Sequence, residues 1–525
     1  MSKENLYLEE IVKNLPRILS LIDNDKTSCG YGLGDRYYWA WGLTDFGNGT
    51  FQGIANGLSQ LWVSGLWPFQ TSFNTFAERI DSLFLGAKKL TRKDGSLEEA
   101  FPNEGSYCVT ALVAFDLLVT IDLLDSLVDQ EKKQEWISIL EPLVRFLIKK
   151  DETHAFISNH LATAAAALFR WYDLTNQDSG ASTKAELLVS RILKNQSKEG
   201  WFKEYEGADP GYQTLCTYYL ADLHLKQKHL KLLDPLAKSL QFLWHFAHPD
   251  GSFGGYYGSR STKFYNPAGI LALGEEIPEA RALSFFMSSS IKESRVVTLS
   301  SMDEPNLVPM FNSFAWSASL IKKFSVNKES VPQDLNLPCN DQNFFKETFP
   351  DAGLLIDRGP EYYSVINYRK GGVVQHYENS ALKILNTGVV FKNSVGKLGS
   401  NQSFNSDFKY KHDGKKILIR NQVTEMPKQL PSCLQFLLLR ICCFTIFRSS
   451  LIRELTKRFL VKYLITKPKK WPFWNEREII LGKSLEIQDK HQEVKGFTKL
   501  ETSKPFVAIH MASKGYWQIQ DEVST

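Results

Sequence analysis

The chain has 525 residues, which is too long for one ordinary hydrophobic core, so two or three domains are expected. Its 43% hydrophobic and 23% charged residues are typical of a folded globular protein and exclude a disordered one. The net charge is +4, but residues 437–470 hold nine Lys or Arg and one acid, so the remainder is close to −4, which argues against a general nucleic-acid binder.

Seven scattered cysteines form no CxxC or zinc-binding pattern, so we expect no metal and no other cofactor. An odd number of cysteines, most of them in apolar runs, favours a reducing compartment. The first ten residues carry charges where a secretory signal needs an apolar core. These features predict a cytoplasmic protein. It is either free in the cytoplasm or in peripheral contact with the inner face of the membrane.

The first three fifths of the chain show apolar residues at the three- and four-residue spacing of helices. Similar polar turns separate the helices. Paired helices with similar turns predict an incomplete α/α toroid, a ring of helical hairpins around a central cleft, over residues 1–328. The predicted helices cover 109–124, 136–148, 159–174, 185–193, 213–225 and 230–246.

Asn159 and His160 lie at the start of an otherwise apolar, alanine-rich helix. An amide and an imidazole at the mouth of a helix can bind a carboxylate and handle a proton beside it. The structural alternative is a helix cap followed by a packed histidine, because Ser158 and Asn159 are reasonable helix-start residues.

A second polar cluster opens a later helix and contains Glu204, Asp209, Tyr212 and Gln213. Tyr212 supplies a phenol for proton transfer, and the other three are predicted to bind substrate. The alternative for Tyr212 is an ordinary aromatic residue at a helix start.

Two further segments combine aromatic side chains with an arginine. In the Gly/Tyr loop 254–262, Tyr257 could stack on a sugar and Arg260 could grip a carboxylate; a plain tight turn explains the loop equally well. In segment 34–46, Arg36, Trp39 and Trp41 could line a glycan subsite, although a local Asp35–Arg36 ion pair is the simpler interpretation.

The pattern changes near residue 330. Residues 329–350 resemble a linker, and residues 351–525 contain short β-rich runs typical of an antiparallel β-sandwich. The predicted strands cover 362–368, 373–377, 389–392, 416–420, 478–481 and 505–511. A helical insertion over about 432–470 interrupts them. It is too short to span a bilayer, so it either lies on a membrane surface or packs on the sandwich with a solvated basic face.

Together these features resemble the heparinase II/III-like family of polysaccharide lyases and related uronyl epimerases. Asn159, His160 and Tyr212 match the family's carboxylate-neutralising Asn and His and its catalytic Tyr in order and approximate separation. Residues 507–513 are similar to the family's closing strand. The family's sandwich histidine has no clear equivalent; His376 is the best-placed candidate and His412 the second.

The resemblance implies β-elimination on a uronate-containing polysaccharide or a lipid-linked glycan. Asn159 and His160 would neutralise the uronate carboxylate, and Tyr212 would act as base, acid or both, given a nearby cation such as Arg260. Three alternatives stay open: a uronyl C5-epimerase, an inactive glycan-binding relative, and a glycosidase. The glycosidase would take two facing carboxylates from a set of four: Glu104, Glu204, Glu206 and Asp209.

Overall fold

The computed structural model describes residues 5–153, 155–175, 178–326, 336–404, 408–426, 432–460 and 469–500. It confirms the predicted fold class: a helical toroid is followed by antiparallel sheets that carry a helical insertion. The thirteen helices described before the sheets are α1 (Leu6–Leu19), α2 (Arg36–Trp39), α3 (Ile54–Val63), α4 (Phe73–Leu90), α5 (Tyr107–Leu124), α6 (Gln130–Lys149), α7 (Ser158–Thr175), α8 (Ser179–Lys194), α9 (Pro210–Lys226), α10 (Leu233–Leu243), α11 (Pro267–Ala272), α12 (Pro278–Lys292) and α13 (Glu304–Val326).

The helices form two concentric layers. In the inner layer α3, α5, α7, α9, α11 and α13 pack in succession, and α13 returns to pack on α3. Buried hydrogen bonds join these last two helices: Asn312 Oδ1 accepts from Gly57 N at 2.9 Å, and Asn312 Nδ2 donates to Gly53 O at 3.0 Å. The outer helices pack on this ring, α6 on α5, α8 on α7 and α1 on α13.

The inner helix α5 shows why the sequence folds this way. Ser106 caps it by accepting a hydrogen bond from Val109 N. Its residues are apolar on all sides, as expected for a helix enclosed by neighbours. Among the described residues, α5 alone is long and apolar enough to cross a membrane, and 78% of it is buried within the protein.

Twelve described strands form two antiparallel sheets. The first sheet has the order β1-β2-β3-β4-β5, and the second has the order β11-β10-β9-β7-β6-β12 with β8 paired to β9. The strands are β1 (Phe345–Phe349), β2 (Leu354–Gly359), β3 (Tyr362–Asn367), β4 (Val373–Glu378), β5 (Ala381–Asn386), β6 (Val390–Asn393), β7 (Leu398–Ser400), β8 (Phe408–His412), β9 (Lys416–Glu425), β10 (Lys470–Ile480), β11 (Glu486–His491) and β12 (Phe497–Leu500).

The central strands of the first sheet, β2, β3 and β4, are buried on both faces because they lie between the toroid and the second sheet. Val365 and Val373 pack into the core of the toroid, whereas Ile366 and Val374 pack with Ile419 of the second sheet. Successive side chains of a strand point to opposite faces. Alternate residues of β3 and β4 therefore pack against the toroid and against the second sheet.

The helical insertion consists of α14 (Cys433–Phe444) and α15 (Ser450–Leu460). It packs on the toroid, which corrects the expectation that it would pack on the sandwich. Asn103 Nδ2 donates to Cys443 O at 2.9 Å, and Arg453 of α15 forms an ion pair with Asp94 at 3.1 Å.

The first strand, β1, lies inside the range predicted as linker, and α13 ends at Val326. The domain boundaries at 328 and 350 stay predictions. The strand predicted at 505–511 and the similar closing strand at 507–513 lie outside the described residues.

Candidate active site

Asn159 is held rigidly at the start of α7. Its backbone N–H donates to Glu204 Oε1 at 2.9 Å and its side-chain Nδ2 to Oε2 of the same carboxyl at 2.8 Å. Ser158 Oγ donates to Lys203 O at 2.7 Å. The start of α7 is therefore tied at several points to the segment that precedes α9, and the two polar clusters predicted from the sequence meet here.

His160 lies next to Asn159 and is partly exposed, with 16% of its side chain accessible. Its Nδ1 lies 2.7 Å from Oε2 of Glu152, a carboxylate that is almost fully buried. A carboxylate at Nδ1 favours the tautomer with the proton on that nitrogen, which leaves Nε2 as the proton acceptor of the neutral ring. Glu152 was not predicted from the sequence, where it is one acid among many.

Burial raises the pKa of two carboxyl groups in this region. The pKa of Glu204 rises to about 8, although the two hydrogen bonds from Asn159 oppose the change. The pKa of half-buried Glu99 rises to about 7, first because of burial and second because of the neighbouring Glu104 carboxylate. Near neutral pH, protonation of these groups limits the negative charge around His160.

Arg260 is buried, with 2% of its surface exposed, and its guanidinium carbon lies 3.5 Å from the centroid of the Tyr205 ring. Its Nη2 is 3.5 Å from Oε2 of Glu206, and its Nε has no hydrogen-bond partner among the described residues. Tyr205 and Glu206, in the segment before α9, therefore bind the Arg260 guanidinium, whose charge lies against the face of the Tyr205 ring.

Asp209 joins Arg260 to the start of α9. Its Oδ2 accepts from Arg260 N at 2.8 Å, and its Oδ1 caps the helix by accepting from Tyr212 N at 3.2 Å and from Thr262 Oγ1. Tyr212 is 6% exposed and its ring packs edge-on against Phe264, with centroids 5.4 Å apart. The cap fixes Tyr212 in the first turn of α9.

Four residues predicted to contact substrate are enclosed by protein in the structure, and their role in binding stays a prediction. Glu204, Asp209, Gln213 and Tyr257 each have 0% of their surface exposed. Gln213 Nε2 donates to Ser239 Oγ at 2.8 Å, and the Tyr257 hydroxyl lies 2.9 Å from His248 Nε2. In the structure these side chains serve to tie neighbouring segments together through buried hydrogen bonds.

His376 lies away from this cluster. Its neighbour Gln375 points to the toroid and accepts from Tyr256 N at 2.9 Å, so His376 points to the opposite face of β4. There it is fully buried, 2.7 Å from Ser364 Oγ and 3.0 Å from Lys483 O, and burial lowers its pKa. His376 is thus a core residue of the sandwich, and His412, the second candidate, is exposed on β8.

Segment 34–46 lies near the end of α1. Arg36 Nη1 donates to Ser20 O at 3.0 Å, and Trp39 Nε1 donates to Leu21 O at 2.8 Å. Trp41 is 88% exposed. No contact joins these side chains to Asn159 or His160 in the described part of the chain, so their role in a glycan subsite stays a prediction.

Lys370, which the sequence did not single out, anchors the Gly/Tyr loop that carries Arg260. Its buried Nζ donates to Tyr256 O and Gly258 O at 2.7 Å and to Ser261 Oγ at 2.8 Å. Burial lowers its pKa to about 7, while the Asp209 carboxylate opposes the change. The sandwich thus fixes one wall of the candidate site.

Residues 71–266 match the family model described as the Ulvan lyase N-terminal domain. The matched range contains Asn159, His160, Tyr212 and Arg260. The match agrees with the resemblance to polysaccharide lyases over these residues. No curated protein sequence matches the chain significantly.

Several solved structures are similar at low identity. A heparinase III is 10% identical and has a TM-score of 0.41 over 89% of this chain and 80% of that one. A chondroitin AC lyase variant from Streptomyces coelicolor is 10% identical, with a TM-score of 0.45 over 80% of this chain and 67% of that one. A Paenibacillus xanthan lyase is 11% identical, with a TM-score of 0.44 over 81% of this chain; the chain spans only 46% of that enzyme.

Proposed function

We propose that this protein is a polysaccharide lyase that removes the C5 proton of a uronate residue and eliminates the substituent at C4. The observation that carries the proposal is the joining of α7 to the segment before α9: Asn159 and Glu204 are hydrogen-bonded at 2.8 and 2.9 Å, with His160 and Tyr212 at the starts of the same two helices. The match of residues 71–266 to a lyase domain supports it.

The first requirement of the reaction is to neutralise the uronate carboxylate. A C5–H is weakly acidic, and its loss becomes feasible when the adjacent carboxylate can take up negative charge as an enolate. Asn159 would donate the second hydrogen of its Nδ2, and His160 would donate from Nε2 in the protonated form of the ring, with Nδ1 paired to Glu152. Because Glu204 already fixes the Asn159 side chain, these donors need little reorganisation during the reaction.

The second requirement is a proton acceptor at C5 and a proton donor at the C4 oxygen. In our proposal Tyr212 takes the C5 proton, the electron pair of that C–H bond forms the C4=C5 double bond, and the C4–O bond breaks. The departing oxygen takes a proton from the tyrosine. The products are a saturated chain end and a 4,5-unsaturated uronate.

The raised carboxyl pKa values fit an anionic substrate. Glu99 and Glu204 are largely uncharged when the pH is below about 7 and about 8 respectively, so they repel a uronate less than ionised groups would. Buried Arg260, from the Gly/Tyr loop, packs against Tyr205 next to Glu204 in the chain and adds positive charge. We therefore propose acidic polysaccharides, free or attached to lipid, as the substrate class.

The test is incubation of the purified protein with a panel of uronate polymers in deuterated buffer, followed by absorbance of the unsaturated product and mass spectrometry. We expect new ultraviolet absorbance with at least one polymer. Tyr212→Phe and Asn159→Ala should each reduce it by about a hundredfold or more. Tyr172→Phe, an exposed tyrosine on the same α7 helix, is the matched control.

The other outcomes separate the alternatives. Deuterium uptake at C5 without cleavage would identify a uronyl C5-epimerase and would contradict elimination. Cleavage without ultraviolet absorbance would identify a glycosidase. Unchanged turnover in Tyr212→Phe would contradict the catalytic role of Tyr212, and binding of a polymer without any turnover would leave only a glycan-binding role.

A further inference from the structure

The helical insertion presents a large apolar surface to solvent. Four aliphatic side chains of α14 and two of α15 are between 50% and 69% exposed: Leu434, Leu437, Leu438, Ile441, Leu451 and Leu455. Single exposed apolar residues are ordinary, but the i, i+3, i+4, i+7 spacing of the four residues on α14 places them on one face of that helix. An exposed apolar group of this kind marks an interaction site. We call these six side chains the hairpin surface.

This exposure does not arise from a detached hairpin. Arg453 is 3% exposed and forms an ion pair with Asp94, while Phe447 is 5% exposed and its ring centroid lies 6.3 Å from that of Phe101. One side of the hairpin is therefore buried against the toroid, and the hairpin surface is exposed to solvent while these contacts are in place.

A neighbouring loop presents two more apolar side chains. Trp41 is 88% exposed and Leu43 is 92% exposed, and both have a positive φ, 62° and 60°. Left-handed backbone is unfavourable for such residues and persists where the surroundings impose it, often for function. An ion pair of 3.1 Å between Asp45 and Arg440 attaches this loop to α14.

We propose that the hairpin surface and the Trp41 loop form a docking site for an anionic lipid bilayer. Helix α14 has 12 residues, about 18 Å, which is too short to span a bilayer but suits a helix lying in its interface. Tryptophan is enriched at that depth. Segment 437–470 contains nine basic residues and one acid. Arg440 and Arg453 are paired with Asp45 and Asp94, and the other seven basic residues still exceed the single acid, a surplus of positive charge that suits anionic headgroups.

The docking site borders the candidate active site. Glu454 of α15 accepts a hydrogen bond from Thr153 Oγ1 at 3.3 Å, next to Glu152, the partner of His160. A bilayer on this surface would bring glycans attached to lipid close to His160. The docking itself does not depend on the proposed lyase reaction.

The test is co-sedimentation of the full chain with vesicles of phosphatidylglycerol and phosphatidylcholine, compared with vesicles of phosphatidylcholine alone. We expect binding to the anionic vesicles that weakens in high salt. Leu437→Glu combined with Leu451→Glu should weaken binding by about tenfold or more, because both charges would enter the apolar interface. Trp41→Ala should weaken it severalfold. Phe285→Glu, at a 67% exposed position on α12, is the matched control.

Two results would overturn the proposal. The first is no preference of the wild type for anionic vesicles. The second is a dimer in light scattering that the double glutamate variant dissociates, since a second copy would then occupy the surface. If the double variant fails to fold by circular dichroism, Leu437→Ser and Leu451→Ser replace it with the same expectation. Tyr212→Phe should bind vesicles normally, which separates this test from that of catalysis.

Discussion

Replacing Glu204 by glutamine tests whether the carboxyl that holds Asn159 is uncharged at neutral pH. Burial raises its pKa from 4.5 to about 8. An acid whose pKa is higher in the folded state binds more protons when folded, so the stability it confers is lost as the pH rises from 4.5 to 8. At ~1.4 kcal/mol per pKa unit, the full loss is ~5 kcal/mol.

Glu204→Gln removes this titration but introduces a fixed cost. Both carboxyl oxygens accept hydrogen bonds from Asn159, and the amide nitrogen of glutamine cannot accept one of them, which costs ~1–3 kcal/mol at every pH. We therefore expect the variant to be less stable than the wild type at pH 5 and more stable at pH 9. The two stability curves should cross between these values.

The assay is urea unfolding of both proteins at several pH values from 5 to 9. Other carboxyl groups with raised pKa values, those of Glu99, Asp116 and Asp209, titrate in both proteins and cancel in the comparison. Glu186→Gln, at an exposed position of α8, should give a curve parallel to the wild type. A parallel curve for Glu204→Gln as well would refute the reasoning.

Three further predictions concern neighbouring groups. Glu99→Gln should extend activity to higher pH, because ionisation of Glu99 above about 7 adds negative charge that repels a uronate; kcat/KM against pH measures this, and an unchanged alkaline limb would contradict it. Glu152→Gln should lower kcat about tenfold or more, since the charge-assisted hydrogen bond at 2.7 Å that orients His160 is lost; unchanged kinetics would show that Glu152 is only structural. Lys370→Met should lower the free energy of unfolding by ~2–4 kcal/mol, because three acceptors lose their donor; urea unfolding beside the exposed control Lys383→Met checks it.

Helix and strand placement followed from local patterns. The predicted helix at 109–124 coincides with Tyr107–Leu124, and the predicted strand at 373–377 lies within Val373–Glu378, because helical and strand periodicities are properties of neighbouring residues. The polar clusters at Asn159 and Glu204 were also visible, since charged and amide groups interrupt long apolar stretches.

Burial depends on packing between distant segments, so the sequence alone did not predict which polar residues are buried. Glu204 and Asp209, before α9, and Gln213, within α9, have the residue types of a binding site, yet all three are buried inside the protein. His376 had a plausible position in the strand, but the pleat of β4 points it into the sandwich.

Local sequence patterns were sufficient to predict the succession of amphipathic and apolar helices, the change to β-strands, and the order of Asn159, His160 and Tyr212 along the chain. The pairing of Asn159 with Glu204, the contact of Glu152 with His160 and the packing of the helical insertion on the toroid with its leucines exposed became visible only in the folded chain. Side-chain periodicity depends on neighbouring residues, whereas desolvation, pKa and exposure depend on segments far apart in the chain.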